Sequence, residues 1–451
     1  MTGPGSGAVP AGPVPAGSLE GVRVVELASE LGAFAGKLLA DLGADVVLVE
    51  PPGGHHTRRY APFVDDVEDP EQSLYFWHYN TSKRSVVLDL DVPGGASAFR
   101  RLVAGADIVL EAEPPGRLAE LALDETDLRA GHPGLVWVAM SPFGRDNPRT
   151  GEPATDLTVL AGGGPVWSCG YDDHGVPPVR GGGNQGMHTV CLWAVMGALT
   201  ALLARQVTGQ GQLVDVSAHA AANVTTEAAS YEWLVAGRTV QRQTARHAAV
   251  HPTMSTDAVC ADGRQVNTGV PPRSAEEFRG VLEWLDEIGG RAEFHDIALL
   301  EMGVERGGVQ IHEIFDDAEA MAVFGAGREV LRFIAQRVSA YDFFIGAQSR
   351  GMPCGIIYAP EEVLSDPHFV ARGFPVSVHH DAIGRDVVYP GAPFVSPRSP
   401  WRISRPAPLV GEHQAEIFGP SPSVVAGGTG RGARGADTIG WHGETTLGTR
   451  D

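Results

Sequence analysis

The chain has 451 residues, with 34 lysines and arginines against 55 aspartates and glutamates, for a formal charge of −21. Hydrophobic residues make up 43% and charged residues 20%, a mix that can bury a core and excludes global disorder. The acidity argues against general nucleic-acid binding, which needs clustered positive charge, but leaves room for a small polyanion in a local basic pocket.

The opening stretch MTGPGSGAVPAGPVPAG lacks the cationic start and apolar run of a secretion signal, so residues 1–18 read as a disordered leader. Val22, Val24, Val25 and Leu27 predict a short buried strand. Residues 28–44, rich in small side chains, predict a helix stopped at Gly43, and Val46 to Val49 the next strand. Strand, small-residue helix, strand is the βαβ pattern. It resumes with a strand at 85–90, a helix at 93–103, a strand at 107–110, short helices at 119–121 and 125–130, and a strand at 135–140. The alternation predicts an open, largely parallel α/β sheet covered by helices.

Further along, glycine runs at 162–164 and 181–183 read as loops. Residues 186–204 predict a buried helix, 208–217 a turn and strand, and 218–235 more helix. The segment GRTVQRQTARHAAVHP has little apolar periodicity and reads as a linker over 236–252. A small domain is expected at 253–340, with helices near 277–288 and 317–324. Residues 341–418 are expected to return to the large domain of 19–235, leaving 419–451 as a flexible extension. No stretch approaches about 18 uninterrupted apolar residues, so no membrane span is expected. The four cysteines are far apart and form no CxxC pair, which fits a reducing cytoplasm and supports no zinc site.

Several familiar sites lack their motifs. Residues 26–36, ELASELGAFAG, do not have the G-x-G-x-x-G spacing of a dinucleotide turn. No phosphate-binding G-x-x-x-x-G-K-[ST], zinc-binding H-E-x-x-H or G-x-S-x-G elbow is present.

The combined phrases resemble the family III CoA-transferases, the group that includes formyl-CoA transferase and carnitine CoA-transferase. They are GVRVVELASELGAFAGKLLADLGADVVLVEPPGG at 21–54, NTSKRSVVLDLDVPGGASAFRRLVAGADIVLE at 80–111, LVWVAMSPFG at 135–144 and EPATDL at 152–157. TGQGQLVDVS at 208–217, MPCGIIYAPEEVLSDPHFVARGF at 352–374 and RPAPLVGEH at 405–413 follow in order. The resemblance implies an open Rossmann-like large domain, a smaller inserted α/β domain and an interlocked homodimer. It implies an enzyme that moves CoA from an acyl-CoA donor to a carboxylic acid acceptor. CoA is then a substrate, and no permanently bound cofactor and no metal is expected.

Asp156 matches the position of the family's nucleophilic aspartate, following Pro153, Ala154 and Thr155. A carboxylate can attack the acyl-CoA thioester, passing through an aspartyl anhydride and an aspartyl-CoA thioester. From the residues alone, a loop or helix-cap aspartate is the plainer explanation. Each exchange passes through an oxyanion, which backbone N–H groups of a glycine loop can stabilise. Gly162, Gly163, Gly164, Gly181, Gly182, Gly183 and Gln185 are candidates for that loop, and an ordinary surface loop is the alternative.

Arg58, Arg59, Lys83, Arg84 and Arg101 are candidates for the CoA phosphates, although the usual Asn-Arg-x-Lys-Arg opening is Asn80-Thr81-Ser82 here. Phe76, Trp77, His78 and Tyr79 in LYFWHYN suit an acyl pocket or a buried core element equally. Two other enzymes remain open, an α-methylacyl-CoA racemase and a CoA-linked dehydratase. Racemases of this family commonly place histidine before the aspartate, where Thr155 stands here. A non-catalytic acyl-CoA-binding protein is the third reading.

Overall fold

A computed structural model of the chain describes residues 17–419 apart from 227 and 315. The leader before residue 17 and the extension after residue 419 lie outside the described residues. The described residues form two compact units: 17–165, 181–225 and 367–419 in the first, and 166–180 with 226–366 in the second. The sequence expectation gave 341–418 as a linker and the return to the large domain. The observed return is at 367, because the helix and strand that follow residue 340 pack into the second unit's core.

In the first unit, β1 (Arg23–Leu27), β2 (Asp45–Glu50), β3 (Arg84–Val87), β4 (Ile108–Glu111), β5 (Val136–Ser141) and β6 (Leu213–Ser217) form one sheet in the order β3-β2-β1-β4-β5-β6. Every pairing is parallel. Strands buried on both faces explain the unbroken apolar runs, β5 being buried at all six positions. The order reverses between β1 and β4, the switch point where open α/β sheets place their ligand crevice beyond the strands' carboxyl ends.

Helix α1 (Ala33–Asp41) starts later than the composition suggests. Residues 28–32 instead form the turn at the carboxyl end of β1, with Ser29 Oγ accepting from the Gly32 N–H at 3.0 Å. Gly36 lets α1 approach β1, because a Cβ there would sit 1.7 Å from Glu26 Oε2. Helix α2 (Leu74–Tyr79) is capped by Ser73, and α3 (Pro93–Val103) begins with a proline in its first turn. Short helices α4 (Arg117–Glu120) and α5 (Glu125–Gly131) precede β5, and α6 (Asp156–Gly163), α7 (Gln185–Thr208) and α8 (Ala218–Asn223) complete the covering layer.

Both ends of the described residues build this unit. The edge strand β3 is covered by residues near the described C-terminus: the His413 N–H donates to the Ser85 carbonyl at 3.0 Å, and Gln414 Oε1 accepts from the Val87 N–H at 2.8 Å. An antiparallel hairpin, Pro375–His380 with Arg385–Pro390, packs Val378, His380 and Tyr389 against α2.

Helix α7 is the one described helix long and apolar enough to cross a membrane by length and composition, with a mean hydropathy of 1.7 over its most apolar window. One face is buried through Val190, Cys191, Ala194 and Ala198, and Arg205 near its end pairs with Asp107 at 2.9 Å. The other face leaves Leu192, Met196, Leu203 and Val207 exposed.

The second unit has α9 (Ala228–Ala236), a small hairpin of β7 (Gln241–Gln243) and β8 (Arg246–Ala249), and an antiparallel sheet of β9 (Asp257–Val259), β10 (Gln265–Asn267) and β11 (Gly355–Ile357). Helices α10 (Ala275–Glu287), α11 (Ile297–Glu305), α12 (Ala318–Ala335) and α13 (Ala340–Ser349) enclose a core of Phe278, Leu285, Leu331, Ile334 and Phe343. Ser274 and Glu277 close a reciprocal capping box at the start of α10. Residues 236–252 are therefore not a bare linker. Gln243 organises the segment by taking the Thr253 N–H and hydroxyl on its oxygen and giving its amide to the His247 carbonyl.

Candidate active site

Asp156 is the first residue of α6. Thr155 caps the helix, its hydroxyl accepting from the Thr158 N–H while Thr158 Oγ1 accepts from the Thr155 N–H. Asp156 itself is only 6% exposed. Its Oδ1 accepts the N–H of Met187, in the first turn of α7, at 3.0 Å. Gly186 makes the approach possible, since a Cβ there would stand 2.8 Å from the same oxygen. The carboxylate thus touches the first turns of two helices, where free N–H groups and helix dipoles favour negative charge.

Beside it lies a polar and aromatic array built from β1's following turn, from α2 and from the start of α7. Asn184 Nδ2 donates to the hydroxyls of Tyr75 at 3.1 Å and Tyr79 at 3.4 Å. Tyr75 OH reaches Glu30 Oε1 at 3.5 Å, and Tyr60 OH donates to Glu30 Oε2 at 3.1 Å. Tyr79 OH lies 2.9 Å from His188 Nε2. The His188 ring stacks on Phe34, with centroids 4.3 Å apart.

Burial governs the protonation of these groups. It pushes the Tyr79 phenol up to about 12, with the Asn184 hydrogen bond pulling the other way. It raises Tyr60 and Tyr75 further above the usual phenol range, assisted by the Glu30 charge. It lowers His188 below the ordinary imidazole value, against the attraction of Asp156. The tyrosines are therefore protonated donors and His188 is a neutral imidazole at physiological pH.

Glu30, Tyr60, Tyr75, Asn184 and His188 were not singled out from the sequence. One signal was available. Tyr75 and Tyr79 stand four apart in a helix, so they share a face that excludes Phe76.

The glycine candidates separate. Gly162 and Gly163 lie inside the last turn of α6, where a Cβ would meet His219 Nε2 at 2.5 Å and Ala222 Cβ at 2.8 Å. They are packing glycines, and Gly164 ends the helix at φ 108°. An eight-residue helix puts that end about 10 Å from Asp156. Gly181, Gly182 and Gly183 instead lead into the α7 turn that contacts Asp156. Gly183 has φ 71°, and a Cβ on Gly181 would collide with the Gln185 amide.

The basic candidates do not form one exposed patch, because carboxylates answer three of the five. Lys83 is fully buried, donating to Glu26 Oε1 at 2.8 Å, the Ala33 carbonyl at 2.9 Å and Asn80 Oδ1 at 2.9 Å. Arg58 is buried too: it forks onto Glu50 with two 2.7 Å bonds, pairs with Glu71 at 2.8 Å and stacks on Phe76. Arg84 is held by Asp45 and Glu416. Arg59 and Arg101 are exposed, Arg101 lying over the Phe418 ring.

The aromatic segment divides as well. Phe76 and Trp77 are core residues, Trp77 stacking on His380 at 3.9 Å. His78 packs its ring against Tyr79 at 4.7 Å, and burial lowers its imidazole to about 4. Of the four candidates Tyr79 joins the array beside Asp156, together with Tyr75 of the same helix.

Two concave places are lined by other residues. A cavity of about 450 Å³ in the second unit is lined by Trp167, His174, Pro177, Pro178 and Arg242. Another of about 160 Å³ in the first unit lies past β4, between Glu113, Pro114, Leu118 and Arg145. Among the described residues, no group of three or more histidine, cysteine, aspartate or glutamate side chains is arranged to hold a metal ion.

A sequence model described as CoA-transferase family III matches residues 19–414. The chain is 32% identical over 410 residues to succinyl-CoA:(R)-benzylsuccinate CoA-transferase subunit BbsE of Thauera aromatica, covering 88% of this chain and 92% of that relative. It is 30% identical over 408 residues to a succinate–glutarate CoA-transferase of Agrobacterium fabrum, covering 89% and 94%. A crystal structure of a CAIB/BAIF family protein from Brucella suis superposes with a TM-score of 0.71 at 25% identity, over 89% of this chain and 98% of that one.

Proposed function

The chain belongs to CoA-transferase family III, and from that premise we propose that it transfers CoA between an acyl-CoA donor and a carboxylic acid through Asp156. The observation that carries the assignment is a carboxylate seated between the first turns of α6 and α7 and held by the Met187 N–H. Asp156 attacks the thioester carbonyl, a C–O bond forms and CoA thiolate leaves an aspartyl anhydride. The thiolate then attacks the aspartyl carbonyl, releasing the donor acid and leaving an aspartyl-CoA thioester. The acceptor carboxylate repeats both exchanges in reverse order, leaves as the new acyl-CoA and regenerates Asp156. Covalent relay divides one difficult exchange into easier steps. The relatives named for succinyl-CoA:(R)-benzylsuccinate and succinate–glutarate transfer make dicarboxylic acids, with succinyl-CoA as donor, the substrate class to test.

Trapping with hydroxylamine or borohydride in the presence of succinyl-CoA, followed by peptide mass spectrometry, is expected to find the modification on Asp156. Asp156→Asn is expected to retain the fold and to lose transfer by orders of magnitude. Unchanged transfer, in protein verified not to have deamidated, overturns the assignment. Solvent deuterium entering the α-carbon of a branched acyl-CoA without any acceptor acid identifies racemase chemistry instead.

The homodimer belongs to the same proposal and is supported by the exposed apolar face of α7. A second reading has its own support: the Thauera relative is described as a subunit, and carboxylates engage Arg58, Lys83 and Arg84. On that reading the chain works beside a second, different family III chain. It binds acyl-CoA weakly alone, shows no trapped Asp156, and gains transfer only when the other chain is added.

A further inference from the structure

Resting on the Asp156 reading, we propose that His188 stands beside the nucleophile as a neutral hydrogen-bond donor through Nδ1–H, held in that tautomer by an array that begins at Glu30. The order of donors runs one way. Glu30 is an acceptor and takes the Tyr60 and Tyr75 hydroxyl protons. Asn184 gives one amide proton to Tyr75 and the other to Tyr79, leaving the Tyr79 hydroxyl proton for His188 Nε2 at 2.9 Å. A ring that accepts at Nε2 carries its proton at Nδ1.

Position and packing fit the role. His188 follows Met187, whose N–H holds Asp156, and the Asp156 charge acts on the ring. Phe34 stacks on one face of the ring, and the Tyr79 bond fixes its rotation. Burial keeps the imidazole neutral, so it offers a fixed dipole and has no tendency to surrender its proton.

When the Asp156 oxygen adds to the thioester carbonyl, that carbonyl oxygen becomes an oxyanion before the C–S bond breaks. Nδ1–H donates to it and keeps its proton, so the step balances with thiolate as the only leaving group. A pre-oriented donor in a water-poor site strengthens as this charge develops. Tyr79, Asn184, Tyr75 and Glu30 are positioning residues that act through His188.

The experiment compares two replacements. The amide nitrogen of His188→Asn falls near the former Nδ1, and that of His188→Gln near the former Nε2. Exchange of labelled succinate into succinyl-CoA is measured with Asp156 trapping and a thermal melt. For His188→Asn we expect kcat to fall about tenfold, and for His188→Gln a hundredfold or more, with KM for succinyl-CoA little changed in both. Independently, ¹⁵N NMR of the wild type should show His188 protonated at Nδ1, with that preference lost in Tyr79→Phe. Equal losses in the two variants, or an Nε2–H tautomer in the wild type, overturn the inference while trapping at Asp156 still stands. No trapping and no exchange in the wild type overturn the underlying reading, and the inference with it.

Discussion

The backbone N–H of Met187 donates to Oδ1 of Asp156 at 3.0 Å, joining the first turn of α7 to the first turn of α6 across 31 residues of chain. The contact exists because residue 186 has no side chain. An added Cβ would sit 2.8 Å from the carboxylate oxygen and 3.3 Å from Leu160 Cγ. Neither neighbour is the loose end of a long side chain, so the carboxylate or the helix must shift.

Gly186→Ala is therefore expected to reduce transfer about a hundredfold, the usual cost of displacing a reacting group by around an ångström. Stability should change little, because alanine is the better helix former. Steady-state rates and a thermal melt on the same preparation check both parts. Wild-type kcat in the variant shows that the Met187 contact does not position the carboxylate.

The buried pair Lys83–Glu26 gives a second expectation. All three Lys83 donors are engaged, and Glu26 Oε2 has no hydrogen-bond partner among the described residues. Burial raises the Glu26 carboxyl to about 7 despite the ammonium beside it. Lys83→Met strips the carboxylate of its cation and is expected to cost about 3–5 kcal/mol in urea unfolding at pH 8. Lys83→Met combined with Glu26→Gln should recover most of that loss. No recovery in the double variant shows that lost packing, not an unpaired charge, sets the cost.

The exposed side of α7 predicts self-association. Leu192, Met196, Leu203 and Val207 are spaced along one face and are 56%, 47%, 63% and 90% exposed. Leu203→Glu is expected to shift a dimer measured by light scattering toward monomer at micromolar concentration, with the far-ultraviolet circular dichroism unchanged. A mass that does not respond to this charge places the contact surface elsewhere.

The fold was more legible in the sequence than the site. Strands buried on both faces write continuous apolar runs, so VVEL, VVLV and VWVAM announce a parallel sheet from local composition. Pro93 and Gly43 punctuate their helices where expected. Ionic partners are not local. Lys83 meets Glu26 from 57 residues away and Arg84 meets Glu416 from 332, so cations that read as a phosphate patch are largely neutralised within the fold. Gly162 and Gly163 misled for a related reason, because a glycine that permits helix packing has the same letter as one that frees a loop. The 3.6-residue period would have put Tyr75 and Tyr79 on one face. Nothing local connects that face to His188 and Asn184, which join it from more than 100 residues downstream.

Glu111, the last residue of β4, sets a pH dependence that can be isolated. It accepts from Arg145 at 2.5 Å and from the Trp137 indole at 3.3 Å, yet burial outweighs both and raises its carboxyl to about 7. The unfolded chain ionises this group near the ordinary 4.5. Below that value both states hold the proton and the contribution to stability is fully present. Between 4.5 and about 7 the folded state still holds a proton that the unfolded state has lost, so stability falls as pH rises. Glu26 acts in the same direction over the same window, so wild type alone cannot separate the two. Glu111→Gln removes one proton-binding site and leaves the other. Its urea midpoint should therefore decline less than wild type between pH 5 and pH 7.5, while a Glu26→Gln background preserves the Glu111 difference. Parallel declines in wild type and Glu111→Gln mean that Arg145 keeps Glu111 ionised throughout, and that the ion pair, not burial, governs the carboxyl end of β4.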